Sequence, residues 1–227
     1  MFVLSLQLVI LFLGVKTSIN SRNNIGGSIF PKSIKIYLST SISIMSIFIL
    51  YNIGEEKFLG YSIIISIAVV LSTIGDMLIF HVFKLKKSTI YGVYCIVVAN
   101  FTFGYAFINL FKITSKDALI IGITCIIGCL ILYIIKKIIL RKVYTWVLIF
   151  GEGLIFMNIC AVFMVINVGV YGIVPFIGAI LALLSGILVL LRSFFNTRFK
   201  NMSIFVWTLY VVSLIALAYS PLIMINI

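Results

Sequence analysis

Two acidic side chains interrupt the long apolar runs of this 227-residue chain. Asp76 lies in LSTIGDMLIF, Leu71 to Phe80, within an apolar run from Phe58 to Phe83. A carboxylate near a membrane-helix centre costs about 2.5 to 3.5 kcal/mol, so it is expected to face a protein interior or a wet cavity. Ser72, four residues earlier, shares its helical face, and Gly75 lets a neighbouring helix come close. Glu152, flanked by Gly151 and Gly153, is the second acid. Two carboxylates in one low-dielectric cavity divide into an acid and a base, the minimum equipment for hydrolysing an acid-labile ether or acetal bond. The competing role for each is an interhelical hydrogen bond.

What positions these acids is legible in the composition. Hydrophobic residues make up 63% and charged residues 10%, with mean hydropathy +1.32. A soluble domain needs more polar surface than this, and continuous rather than alternating apolar runs exclude an outer-membrane barrel. The reading is a single polytopic all-α membrane domain over residues 1–227. Eight spans are expected, at roughly 1–15, 34–53, 58–82, 88–111, 117–138, 143–167, 170–192 and 202–225.

The net charge of +12 is a topology signal rather than a nucleic-acid footprint. Loops 1–2, 3–4, 5–6 and 7–8 carry Lys16, Arg22, Lys32, Lys35, Lys84, Lys86, Lys87, Lys136, Lys137, Arg141, Lys142, Arg192, Arg198 and Lys200. The alternate loops hold only Lys57, Lys112 and Lys116, with Glu55, Glu56 and Asp117. The positive-inside rule then puts both termini on the non-cytoplasmic side, and the short first run is a true span rather than a cleaved signal peptide. The expected location is integral and multi-pass, in the endoplasmic reticulum of a eukaryote or the inner or plasma membrane of a bacterium.

On that topology Asp76 lies six residues from the cytoplasmic end of helix 3, roughly 9 Å deep, and Glu152 nine residues into helix 6, roughly 13 Å. They are expected to share one depth layer. Asn100, Asn109 and Asn158 are candidate polar lining, each also suited to bonding between helices. His81 reads as interfacial, and Tyr144, Trp146 and Trp207 as interface anchors. Cys95, Cys125, Cys129 and Cys160 read as small buried side chains, with no histidine or carboxylate spaced to complete a zinc site. No metal or cofactor is expected.

Four blocks resemble the YhhN family of lysoplasmalogenase-like membrane proteins. Ser72 to Leu78, STIGDML, is similar to S-x-x-G-D-x-L. Gly92 to Phe107, GVYCIVVANFTFGYAF, is similar to G-L-x-x-F-x-x-x-H-x-x-Y-x-x-x-F. Gly178 to Phe194, GAILALLSGILVLLRSF, is similar to G-A-x-L-F-x-x-S-D-x-x-x-A-x-x-x-F. Tyr210 to Ser220 lies where the family has a tyrosine and then an A-Q pair. The resemblance implies an intramembrane site with two aspartates that hydrolyses the vinyl ether bond of lysoplasmalogens, releasing a fatty aldehyde.

The chain departs from that pattern at the site itself. Gly186 stands at the second aspartate position, directly after the matching Ser185; Asn100 replaces the histidine, Phe103 the tyrosine and Ser213 the glutamine. One carboxylate cannot run the two-acid scheme alone. Glu152 is therefore the candidate second acid, a longer side chain reaching from helix 6 into space left at Gly186. The expected site has Asp76 and Glu152 as catalytic pair and Ser72, Asn100, Ser185 and Gly186 against the substrate. The partner is a lysolipid or another amphiphilic small molecule drawn from membrane lipid, not nucleic acid. Two readings stay open: a diverged ether hydrolase, or a catalytically silent relative that binds such an amphiphile. An unrelated transporter is least favoured, because no inverted broken-helix repeat is visible.

Overall fold

The computed structural model describes residues 2–20, 31–53, 56–83, 85–111, 114–138, 145–194 and 202–224. Among them are eight α-helices and no strand: α1 (Phe2–Asn20), α2 (Lys32–Asn52), α3 (Glu56–Ile79), α4 (Ser88–Asn109), α5 (Ser115–Ile138), α6 (Thr145–Val168), α7 (Ile173–Phe194) and α8 (Met202–Met224). They follow the eight apolar runs in order. Among the described residues six stretches are long and apolar enough to cross a membrane, and one of them, Leu148–Leu191, is 44 residues covering most of both α6 and α7. In α1 the apolar part, Val3–Ile19, is shorter. Arg22, Glu55, Lys84, Lys112, Arg141, Lys142, Tyr144, Arg198 and Lys200 lie outside the described residues, as do the side chains of Glu56, Lys57, Lys136, Lys137, Trp146 and Arg192.

Helix ends fall where the backbone demands them. His81 adopts φ +57°, and the amides of His81 and Val82 donate to Leu78 O at 3.1 Å and Met77 O at 3.0 Å. This paired closure with a left-handed residue terminates α3. The expected span to residue 82 is thus cut at Ile79, and Asp76 sits in the last turn, about 4.5 Å rather than 9 Å from the helix end. Gly169, at φ +71°, turns the chain through the short 3-10 segment Gly169–Gly172 from α6 into α7.

The helices pack on a shared core that includes Leu38, Ile65, Phe103, Phe107, Met157 and Leu217, each nearly or fully buried. The tightest crossing joins α3 and α4. A Cβ on Gly92 would meet the Gly75 carbonyl oxygen at 2.7 Å, so only hydrogen fits between these backbones. A polar seam fastens α2 to α3: Ser43 and Thr73 hydroxyls meet at 2.6 Å, Thr73 donates to Ser39 O at 3.0 Å, and Ser66 donates to Ser46 O at 3.0 Å. With no water in hydrocarbon to satisfy them, such hydroxyls bond across helices and hold register. By contrast α5 packs chiefly on α6; 11% of its Ser115–Ile134 stretch is buried, against 56% of Phe58–Ile79 in α3.

Candidate functional site

Asp76 is the centre of the best-built polar cluster in the bundle. It is 2% exposed, and both carboxyl oxygens have partners on other helices. Ser39 of α2 donates to Oδ2 at 2.5 Å, and Tyr210 of α8 donates to Oδ1 at 3.1 Å. Three helices therefore meet at this one carboxyl group. Ser72, one turn earlier on α3, is buried beside Tyr210. Lys35, 6% exposed, brings its ammonium 4.2 Å from the Trp207 ring centre and 4.9 Å from that of Phe80. The two rings lie 5.1 Å apart between centres and are tilted by 46° to each other.

A cavity of about 270 Å³ opens at this cluster. Asp76, Asn100, Ser185 and Tyr210 supply its polar groups, while Ile79, Val93, Ile96, Val189, Leu190 and Val206 make most of the wall apolar. Phe80 and Trp207 line it too. Asn100 is 6% exposed, and its Nδ2 has no hydrogen-bond partner among the described residues. A buried donor without an acceptor costs about 1 to 3 kcal/mol, which a ligand oxygen would recover. Ser185 is on the wall but already donates to Val206 O at 3.1 Å, tying α7 to α8. The cavity thus offers an amide donor and a carboxylate acceptor within walls that are otherwise mostly hydrocarbon.

Of the six site residues expected from sequence, the structure brings Asp76, Asn100, Ser185 and Gly186 onto this cavity and places Ser72 just behind it. It does not bring Glu152 there. On α6 the side chains that face Gly186 are Leu154 and Phe150: a Cβ built on Gly186 would lie 2.5 Å from Leu154 Cδ1 and 3.4 Å from Phe150 Cε1. The space expected for a substitute acid is filled by these apolar groups. Glu152 lines a different hollow, with Cys125, Cys129, Tyr133 and Leu148. Asn158 bonds Leu154 O and Ala179 O at 2.9 and 3.1 Å, an α6–α7 link. His81 is exposed past the end of α3, with Thr89 Oγ1 at 3.5 Å.

Four contributors were not singled out for the site: Lys35, counted with the loop cations; Ser39, not considered; Trp207, read as an interface anchor; and Tyr210, named only as the start of the fourth resembling block. Lys35, Ser39, Ser43 and Ser46 recur at helical spacing, which would have placed them on one face of α2. Nothing in that spacing names Asp76 as the partner.

An all-helical bundle of apolar spans with a carboxylate-ended cavity inside it is a helical integral membrane protein. The chain belongs to the YhhN family: residues 36–220, well over half of the 227, match that family. No curated protein and no solved structure gives a match. The matched region contains Ser39, Asp76, Asn100, Ser185, Gly186 and Tyr210.

Proposed function

We propose that this YhhN-family membrane protein binds a lysolipid, or a similar single-chain amphiphile, in the Asp76 cavity without cleaving its ether bond. The observation that carries the reading is the acid inventory of the cavity. Asp76 is the one carboxylate among its lining residues, and Leu154 and Phe150 occupy the space at Gly186.

The chemistry explains why that matters. Vinyl ether hydrolysis begins with a proton delivered to the alkene carbon β to the ether oxygen, which leaves the positive charge on the carbon bonded to that oxygen. Water then adds to the oxocarbenium ion, and the hemiacetal collapses to an aldehyde and an alcohol. The paired scheme gives proton delivery and water activation to separate carboxyl groups. Asp76 instead presents both oxygens to hydroxyl donors. Each oxygen keeps a second lone pair, suited to a glycerol hydroxyl, while Asn100 Nδ2 donates to an ether or ester oxygen. The acyl or alkenyl chain follows the apolar wall.

Binding of a labelled vinyl ether lysolipid to the purified protein tests the reading. Asp76→Asn and Asn100→Leu are each expected to weaken it about tenfold, the worth of one hydrogen bond of about 1.4 kcal/mol. Unchanged affinity in both variants would remove the lipid from this cavity. The same proposal includes eight single crossings, both termini on the non-cytoplasmic side and Lys86 in the cytoplasm. Cysteine-accessibility labelling at the N-terminus and at Lys86 should come from opposite faces; labelling from one face ends that topology.

A further inference from the structure

Glu152 belongs to a separate place in the molecule. It sits seven residues into α6, about 10 Å along the helix, and looks into a hollow of about 560 Å³ between α5 and α6. Its Oε2 is buried and meets no nitrogen or oxygen donor among the described residues. The Cys125 and Cys129 thiols of α5 stand beside the carboxyl group, but thiols are weak donors and carry no compensating charge. No Lys, Arg or His lines the hollow among the described residues. Phe101 and Tyr133 form part of its wall, with Leu130 and Leu148. Gly128 of α5 lets α6 approach: a Cβ there would lie 3.1 Å from Ile155 Cδ1 and 3.5 Å from Glu152 Oε2.

A carboxyl group at this depth is neutralised either by a proton or by a cation. The donor set decides which cation. Among the described residues no group of three His, Cys, Asp or Glu side chains is placed to hold a metal ion. An organic ammonium needs no such convergence: it pairs with one carboxylate, and aromatic faces stabilise it further. The rest of the hollow is hydrocarbon and opens along the exposed side of α5, where Ile126, Leu130 and Ile131 are about half exposed. Charge and wall together define a cationic head with an apolar chain.

We propose that the α5–α6 hollow is a binding site for an ammonium-bearing single-chain amphiphile, its head on Glu152 and its chain along α5. This site is independent of the Asp76 cavity, since the two have no lining residue in common.

The test uses the purified full chain in maltoside micelles and a photoactivatable dodecylamine, with labelled peptides mapped by mass spectrometry. Label should fall on α5 around Cys125 to Tyr133 and on α6 around Leu148 to Glu152. Dodecyltrimethylammonium at about ten times its own dissociation constant should reduce it about tenfold by mass action, while the same concentration of dodecanol should not. Glu152→Gln should cause a similar loss. Cys129→Phe, at an exposed position, should do so by filling the hollow with the carboxylate still present, and it decides the matter if the Gln variant does not fold. Label that ignores both substitutions, competes equally with dodecanol, or falls on α2, α7 and α8 overturns the proposal.

Discussion

Asp76 and Glu152 are the same kind of side chain in two different surroundings. Asp76 lies where α2, α3 and α8 converge, its oxygens held by Ser39 and Tyr210 and its cavity walled by five helices. Glu152 of α6 faces the peripheral α5, with the weak thiol donors of Cys125 and Cys129 beside it. The contrast begins in the backbone. Gly75 and Gly92 bring α3 and α4 into direct contact, whereas Gly122 of α5 has nothing within 4 Å of where a side chain would start. A carboxyl group gains a defined role from the number of helices that reach it, and burial alone does not confer one.

The largest expected effect separates the two regions at the level of packing. Gly92→Val places a branched side chain against the Gly75 carbonyl and the Ile79 amide; overpacking of this kind costs about 1 to 3 kcal/mol or more. It should lower the melting temperature sharply or abolish folded protein in detergent. Gly122→Ala should leave melting unchanged or raise it slightly, because Ala gains up to about 1 kcal/mol over Gly in a helix. Equal effects would mean that α5 is packed as tightly as α3.

Substitution of the acids comes next. Asp76→Leu strands the Ser39 and Tyr210 hydroxyls, at about 1 to 3 kcal/mol for each unsatisfied group. Glu152→Leu strands no hydroxyl donor and removes a costly acid, so it should be neutral or stabilising. Thermal melting of the two variants checks the order; a larger loss at Glu152 would reverse the comparison. A smaller change is expected from Gly186→Asp. Leu154 Cδ1 is the end of a flexible side chain and can swing away, so the variant should fold with a modest drop in melting temperature. Paired with Leu154→Ala, it restores a second carboxyl group to the cavity and should give measurable aldehyde release from a vinyl ether lysolipid.

The sequence made the helices legible because apolar runs and basic loops alternate so cleanly, and every run became a helix within a few residues of its expected ends. The face shared by Ser72 and Asp76 was also visible, because buried small and polar residues mark it: Ala68, Ser72 and Asp76 repeat at four-residue spacing. The direction of Glu152 was not. Helix α6 is apolar almost all round, so no polar side announces which face meets the bundle. Its buried stripe, Leu154, Met157, Ala161 and Met164, becomes evident only with the neighbours in place, and Glu152 points away from it. Likewise the i, i+4 spacing of Lys35 and Ser39 defined a face of α2, but the partner of that face is a matter of helix order in space. Capping shortened α3 for a local reason, a left-handed His81, that apolarity does not register.

The central claim is that the Asp76 cavity holds an amphiphile and lacks the second acid needed to cleave it by the paired scheme. The most direct measurement follows the fate of a vinyl ether lysolipid labelled in its alkenyl chain, incubated with the purified wild-type protein. The account expects saturable binding, with the label recovered as intact lipid and no fatty aldehyde above the protein-free background. Enzyme-dependent aldehyde release that disappears in Asp76→Asn would contradict it and make the single carboxylate sufficient for hydrolysis.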